Sequence, residues 1–226
     1  MMPVKQILFV TLLLTTATLF AQRSAYGTGS YNRLGIQGGY SLFDINTSDL
    51  ITEARGSFTA GFTTRGSYRN NFDLIYGINF VSNTVGIKTA NPTETQNTLN
   101  PAFVNFNIIG AQVNFLASYN IVKHHFSIEA GPILNINGKM KLDNDTFENV
   151  LIDGYSTITA NDIQNISIIN GAAQIGVTGG LESFRLNVNY QYGFTNILGG
   201  LNDENLENQD FKGNTSNITI AGIVYF

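Results

Sequence analysis

Residues 184–193 read Phe184-Arg185-Leu186-Asn187-Val188-Asn189-Tyr190-Gln191-Tyr192-Gly193, a strict alternation of apolar and polar side chains. Its even positions are apolar and its odd positions are Arg, Asn, Asn and Gln. Successive side chains of a strand point to opposite faces, so the pattern is a strand with one apolar and one polar face. The same alternation recurs in residues 34–42, 58–68, 72–80 and 126–136 and, on odd positions, in 173–181. The last segment, 218–226, is apolar on both faces, with Ala221 and Gly222 as its small residues. Residues 104–121 read as changing phase near Gly110, because Phe106 and Ile108 are even whereas Val113, Phe115, Ala117 and Tyr119 are odd; a bulge would reconcile the halves. No stretch sustains a helical period, so the expectation is eight strands and essentially no helix.

The connections are unequal. Short turns fall near Arg69-Asn70-Asn71, Lys123-His124-His125 and Glu182-Ser183, whereas residues 44–56, 88–102, 138–165 and 197–215 are long and polar. Long loops at one end and short turns at the other, with an even strand number, are what outer-membrane barrels show. The predicted fold is therefore all-β, an eight-stranded antiparallel up-and-down transmembrane β-barrel. Val150-Leu151-Ile152 and residues 155–159 in the third loop leave open a further hairpin, and with it ten strands.

Alternation alone does not say which face points inward, since a soluble lipocalin-like barrel would put the apolar face inside. Composition favours the membrane. Charged residues are 12% of the chain, about half of the usual ~25% for soluble domains. The polar face is built from small neutral residues such as Gly35, Gln37, Gly39, Ser57, Thr59, Gly61, Asn79, Gln174 and Gly176, which suit a narrow enclosed interior. Aromatics gather at the ends of the apolar face: Tyr68, Phe72, Tyr119, Phe126, Phe184 and Phe226 as a periplasmic girdle, and Tyr40, Phe58, Phe80, Phe106 and Tyr192 as a second ring about ten residues away. That interval matches the ~9–11 residues of a tilted membrane strand.

Residues 1–21 read as a cleaved secretory signal, with Lys5 in the charged region, an apolar core over 7–14 and a cleavage site after Phe20-Ala21. Residues 22–226 then form one barrel domain. The net charge of −4 offers no basic surface for nucleic acid. The absence of cysteine excludes disulfides, thiol nucleophiles and cysteine-based metal sites.

Glu129-Ala130-Gly131-Pro132, Tyr192-Gly193-Phe194-Thr195-Asn196-Ile197 and the opening Leu34-Gly35-Ile36-Gln37-Gly38-Gly39-Tyr40 resemble motifs of the PorT-like outer-membrane β-barrel family common in Bacteroidota. The third strand departs from it, with Tyr76-Gly77 where the family often has Pro-Glu, and the fourth has Ile109-Gly110 near its frequent Ile-Pro. The resemblance implies a monomer in the outer membrane of a Gram-negative envelope, embedded in its lipid and inserted by the barrel assembly machinery, which reads a terminal aromatic strand such as the one ending at Phe226. It also implies a structural or accessory envelope role with an unidentified protein partner, of which a part in secretion is one form.

Chemistry-bearing residues are few. Arg65, Asp73, Glu129, Lys139 and Arg185 fall on the polar side of their strands, and burial would force them to pair, Glu129 with an arginine first. The expectation is an interior charge network of Arg65, Asp73, Glu129 and Arg185 that fills the lumen. His124 and His125 are adjacent, point opposite ways on an extended turn and lack a nearby carboxylate, so no metal, cofactor or catalytic site is expected there. A small outer-membrane enzyme acting on lipid is the alternative, but it would need a base near the outer leaflet, and both histidines lie at the periplasmic turn. Asp203 to Asp210 could recruit calcium, but lacks the order of a dedicated loop and reads as solvated and mobile.

Overall fold

The computed structural model describes residues 31–90, 94–95, 98–99 and 102–226; the expected signal lies outside them. Eight strands close into one antiparallel ring: β1 (Asn32–Asn46), β2 (Thr52–Arg69), β3 (Phe72–Lys88), β4 (Phe103–Val122), β5 (Phe126–Leu142), β6 (Ile169–Gly180), β7 (Phe184–Gly193) and β8 (Asn214–Tyr225). Each strand pairs with its sequence neighbours, and β8 closes on β1 in a register running from Gly35↔Tyr225 to Asn46↔Asn214. Closure satisfies every strand edge, the condition for backbone to sit in hydrocarbon. The third connection contributes only isolated bridges, Thr89↔Ile152 and Leu151↔Thr159, so the barrel has eight strands, not ten.

The tight turns use backbone conformations that few residues tolerate. Asn70 sits at φ 53° and His124 at φ 63° in the first two. Gly180 opens the third at φ 148°, where a Cβ would stand 2.5 Å from the Phe184 carbonyl oxygen.

Burial runs inside out. In β7 the apolar Val188 is 44% exposed and the polar Asn187 beside it 6%. Leu186, Tyr190, Ile175, Ile220, Phe62 and Ile78 likewise face outward, whereas Gln112, Asn114, Gln174, Asn189 and Gln191 face the lumen. The lipocalin-like inversion is therefore not the arrangement adopted. An apolar belt around a closed barrel makes this a transmembrane protein of the outer membrane.

Four sequence expectations are corrected. The connection expected over 44–56 spans only residues 47–51, because β1 and β2 continue above the belt. β4 keeps one phase throughout: Val104, Phe106 and Ile108 and then Gln112, Asn114, Ser118 and Asn120 are all buried inside. What changes at Gly110 is the chemistry of the lumen, apolar above and polar below, rather than the direction of the side chains. Phe106 consequently belongs to the interior and not to the upper aromatic ring. The irregularity lies opposite, on β5. Ile108 pairs with Met140 and Gly110 with Asn137, so Gly138 and Lys139 form a bulge that turns Lys139 outward and Met140 inward.

Candidate functional site

The lumen is stacked in three tiers. The tier nearest the short turns, at the periplasmic end, holds the charges. Arg65 on β2 donates from Nη1 to Asp73 Oδ2 at 3.1 Å and to Ser118 Oγ at 3.0 Å, and from Nη2 to Glu129 Oε1. Glu129 also accepts from Ser127 Oγ at 3.2 Å and, through Oε2, from Asn187 Nδ2 at 3.1 Å. Asp73 Oδ2 further accepts from Asn120 Nδ2 at 2.9 Å and the Tyr31 hydroxyl at 2.5 Å. Three of the four expected network members thus meet. Arg185 is as buried as Arg65, each 1% exposed, yet makes no ion pair among the described residues. Tyr31 and Tyr225 join this tier unforeseen. The Tyr225 ring lies against Gly35, where a Cβ would fall 2.8 Å from it. The only sign of Tyr225 in the sequence was its odd position in a strand apolar on both faces.

The middle tier is a mesh of amides. Gln112 Nε2 donates to Gln191 Oε1 at 3.0 Å, joining β4 to β7 across the lumen. Gln191 passes the chain on to Gln174 and Asn189, each at 3.2 Å, and Gln37 donates to Asn79 at 2.5 Å. The spaces left among the described residues include a cavity of about 40 Å³ lined by Gln37, Asn79, Asn114 and Asn217 and one of about 20 Å³ lined by Phe43, Ile108 and Ile197. Each is room for no more than a few waters. An eight-stranded ring of this kind is filled by its own side chains rather than open as a pore.

The third tier is a folded cap. Phe43, Val85, Phe106 and Met140 from the strand ends pack against Ile158 and Phe211 from the long connections in one buried apolar core. A 3₁₀ helix, Ile197–Asp203, closes over it, with the Asn196 side chain capping its first turn and Leu198 and Leu201 buried beneath. The cap is also tied by polar contacts. The Tyr155 hydroxyl donates to the Asp49 carbonyl at 2.8 Å, and Lys88 pairs with Asp153 at 3.1 Å. Glu207 Oε2 accepts from the backbone N–H of Ser156 at 2.9 Å and of Thr157 at 3.1 Å, which holds its carboxyl below the usual range. Residues 203–210, expected to be mobile, are therefore engaged: Asn165 donates to Glu204 at 2.9 Å and Lys212 to Asp210 at 2.8 Å.

Outside, the six residues of the expected periplasmic girdle, Tyr68, Phe72, Tyr119, Phe126, Phe184 and Phe226, are all exposed, and the rings of Phe72 and Tyr119 meet at a tilt with centroids 5.1 Å apart. Of the upper ring, Tyr40 and Phe58 meet edge to face at 5.4 Å. The histidines sit at the periplasmic rim, His124 against the Tyr31 ring at 5.2 Å and His125 Nδ1 2.9 Å from the Gly180 carbonyl oxygen. Beside them Arg33 donates to Glu182 at 2.7 Å and holds that carboxyl below its ordinary range. Among the described residues no three His, Asp or Glu side chains are grouped to hold a metal ion.

No protein-family model matches the chain, and no curated protein matches it either. Solved structures similar to it include small outer-membrane barrels. Neisserial surface protein A is 12% identical over 85% of this chain and 97% of its own, with a TM-score of 0.49. Ail, the attachment invasion locus protein of Yersinia pestis, is 10% identical over 86% and 99%, with a TM-score of 0.45. The outer membrane protein OprG from Pseudomonas aeruginosa is 13% identical over 87% and 97%, also at 0.45. At such values the likeness adds nothing to the strand order and register already described.

Proposed function

We propose that this protein is a non-enzymatic, non-conducting outer-membrane barrel whose work is to present its extracellular cap to another component of the cell envelope. The observation that carries this reading is the cap's own apolar core, in which strand ends and the two longest connections pack together. Loops with a core of their own form a surface already ordered before binding, which spares the entropy of ordering it in a complex. The filled lumen below supports a scaffold rather than a conduit. The two longest connections, residues 143–168 and 194–213, carry nine carboxylates against a single basic residue, Lys212, so the platform favours a cationic partner face. A secretion component is the partner that the PorT-like resemblance implies. Against an acyl hydrolase stands the position of both histidines at the opposite rim, far from the outer leaflet.

The test is a photo-reactive residue placed at cap positions such as Asn205 and, as control, at the belt position Ile175 in cells. A discrete crosslinked partner from the cap, lost on exchanging residues 203–210 for a Gly-Ser linker in a barrel that still shifts on unboiled gels, is the expected result. Crosslinks to lipid alone from every position, or stable conductance steps in planar bilayers, would overturn it.

A further inference from the structure

The periplasmic tier contains a set of hydrogen-bond donors with nothing to receive them. Among the described residues, Arg185 Nε and Nη1 and Arg65 Nε are buried without a partner. The Tyr225 hydroxyl, beside both guanidiniums, makes no hydrogen bond of normal geometry. All four can donate, and the arginine nitrogens can do nothing else. The register explains their convergence. Arg185 on β7 faces Ile223 on β8, and Tyr225 follows two residues later on the same inward face, its ring against Gly35 towards β2 and Arg65.

The carboxylates of the tier do not answer this need. Glu129 spends both oxygens on Arg65, Ser127 and Asn187, and Asp73 Oδ2 is shared by Arg65, Asn120 and Tyr31. Arg185 is left as a fully buried guanidinium with no contacting counter-ion, a costly arrangement unless something else pairs with it. Higher in the lumen the unpartnered atoms are two amide oxygens, Asn114 Oδ1 and Asn217 Oδ1, which only accept, and the Thr219 hydroxyl, which can do either. At the charged end Asn120 Oδ1, next to Asp73, and His124 Nδ1, at the rim, are unpartnered as well. Water serves donors and acceptors alike, whereas three guanidinium N–H positions and a hydroxyl gathered around Arg185 suit a ligand that only accepts.

We propose that Arg185, Arg65 and Tyr225 form a binding site for a small monovalent anion, a halide or a carboxylate of formate size, at the periplasmic end of the lumen. The rim outside it is suited to deliver one: Arg69 and Lys123 are exposed on the two adjacent turns, near His124 and His125, and the rim's Glu182 is already paired with Arg33. Like-signed charge around a low-dielectric mouth raises the local concentration of the opposite ion. The site is independent of the cap reading and stands or falls without it.

The experiment folds the full mature chain in neutral detergent micelles and follows urea unfolding by the unboiled gel shift. Sodium gluconate, whose anion is too large to enter, is exchanged for chloride or formate at constant ionic strength. The midpoint is expected to rise and saturate with chloride, which assigns a halide site, or with formate alone, which assigns a carboxylate site. The rise should vanish in Arg185→Gln and survive in Lys123→Gln on the rim. If Arg185→Gln does not fold, Tyr225→Phe must raise the anion concentration at half-saturation several-fold. A midpoint identical in gluconate, chloride and formate would overturn the proposal, as would an unchanged response in both Arg185→Gln and Tyr225→Phe.

Discussion

Arg65 Nη2 donates to Glu129 Oε1 across the lumen, between two strands, β2 and β5, that are not neighbours in the ring and two residues 64 positions apart. The contact braces the barrel from within, and a second carboxylate, Asp73, completes it at 3.1 Å. Removing one partner of a buried ion pair leaves charge without compensation, at a cost of about 3–5 kcal/mol. Arg65→Met should therefore lower the urea unfolding free energy of the folded barrel by about that amount. The triple replacement Arg65→Met, Asp73→Leu, Glu129→Leu should recover most of it, because apolar groups of similar volume need no pairing. A triple variant no more stable than the single one would show that the network is worth more than its charges.

Lipid contact predicts a second, opposite asymmetry. Val188 lies mid-strand on β7, paired with Ile220 on one side and Val177 on the other, all facing outward. Lysine at the bilayer midplane of a barrel costs about 2–4 kcal/mol, and less near the interfaces. Val188→Lys should fall in that range, whereas Lys at Phe226, on the periplasmic girdle, should cost about 0–1 kcal/mol. Unfolding titrations in vesicles measure both, and equal costs would mean that the belt is misplaced.

How much of this was legible in the sequence depends on whether inside and outside differed in polarity. On β7 they differ at every step, and Arg185 to Gln191 could be assigned to the lumen from the letters alone. On β4 they do not: Phe106 and Ile108 point inward like Gln112, but into an apolar cap, so alternation read across Gly110 suggested a shift of phase that does not occur. The cap itself had no periodic signature, since its apolar residues are scattered over strand ends and long connections and meet only in three dimensions. Arg65 and Glu129 could be paired in advance because charge in a narrow lumen has few partners. Tyr225 could not, since its neighbours Ala221 and Ile223 on the same face are apolar too.

Acid should loosen the cap through Glu207. Two backbone N–H bonds, from Ser156 and Thr157, lower its pKa in the folded protein. A carboxylate with a depressed folded value contributes fully above its unfolded pKa and loses that contribution as pH falls through the folded one. Amide exchange at Ser156 and Thr157 should accelerate below about pH 4. Glu207→Gln should make exchange there faster at neutral pH and remove most of its acid dependence. Exchange that stays pH-corrected and constant in the wild type would show that the contact is not what orders this segment.

The cap core and the barrel should also separate energetically. Phe211 is fully buried in the cap, its ring 5.8 Å from that of Tyr155, and its carbonyl oxygen accepts from Asn196 at 2.7 Å and Asn202 at 3.1 Å. Truncating a buried Phe to Ala costs about 3–5 kcal/mol. The belt, the charge tier and the ring of strand hydrogen bonds contain no part of Phe211, so Phe211→Ala should leave the unboiled gel shift intact while making residues 143–168 and 194–213 sensitive to added protease. With the apolar cap loosened, the upper boundary of the amide-lined lumen is removed, but the Gln112–Gln191 bridge and the Arg65 network still fill it. Bilayer conductance should therefore stay closed in Phe211→Ala. Ion steps appearing in that variant would make the cap the seal of a pore rather than a platform above a solid barrel.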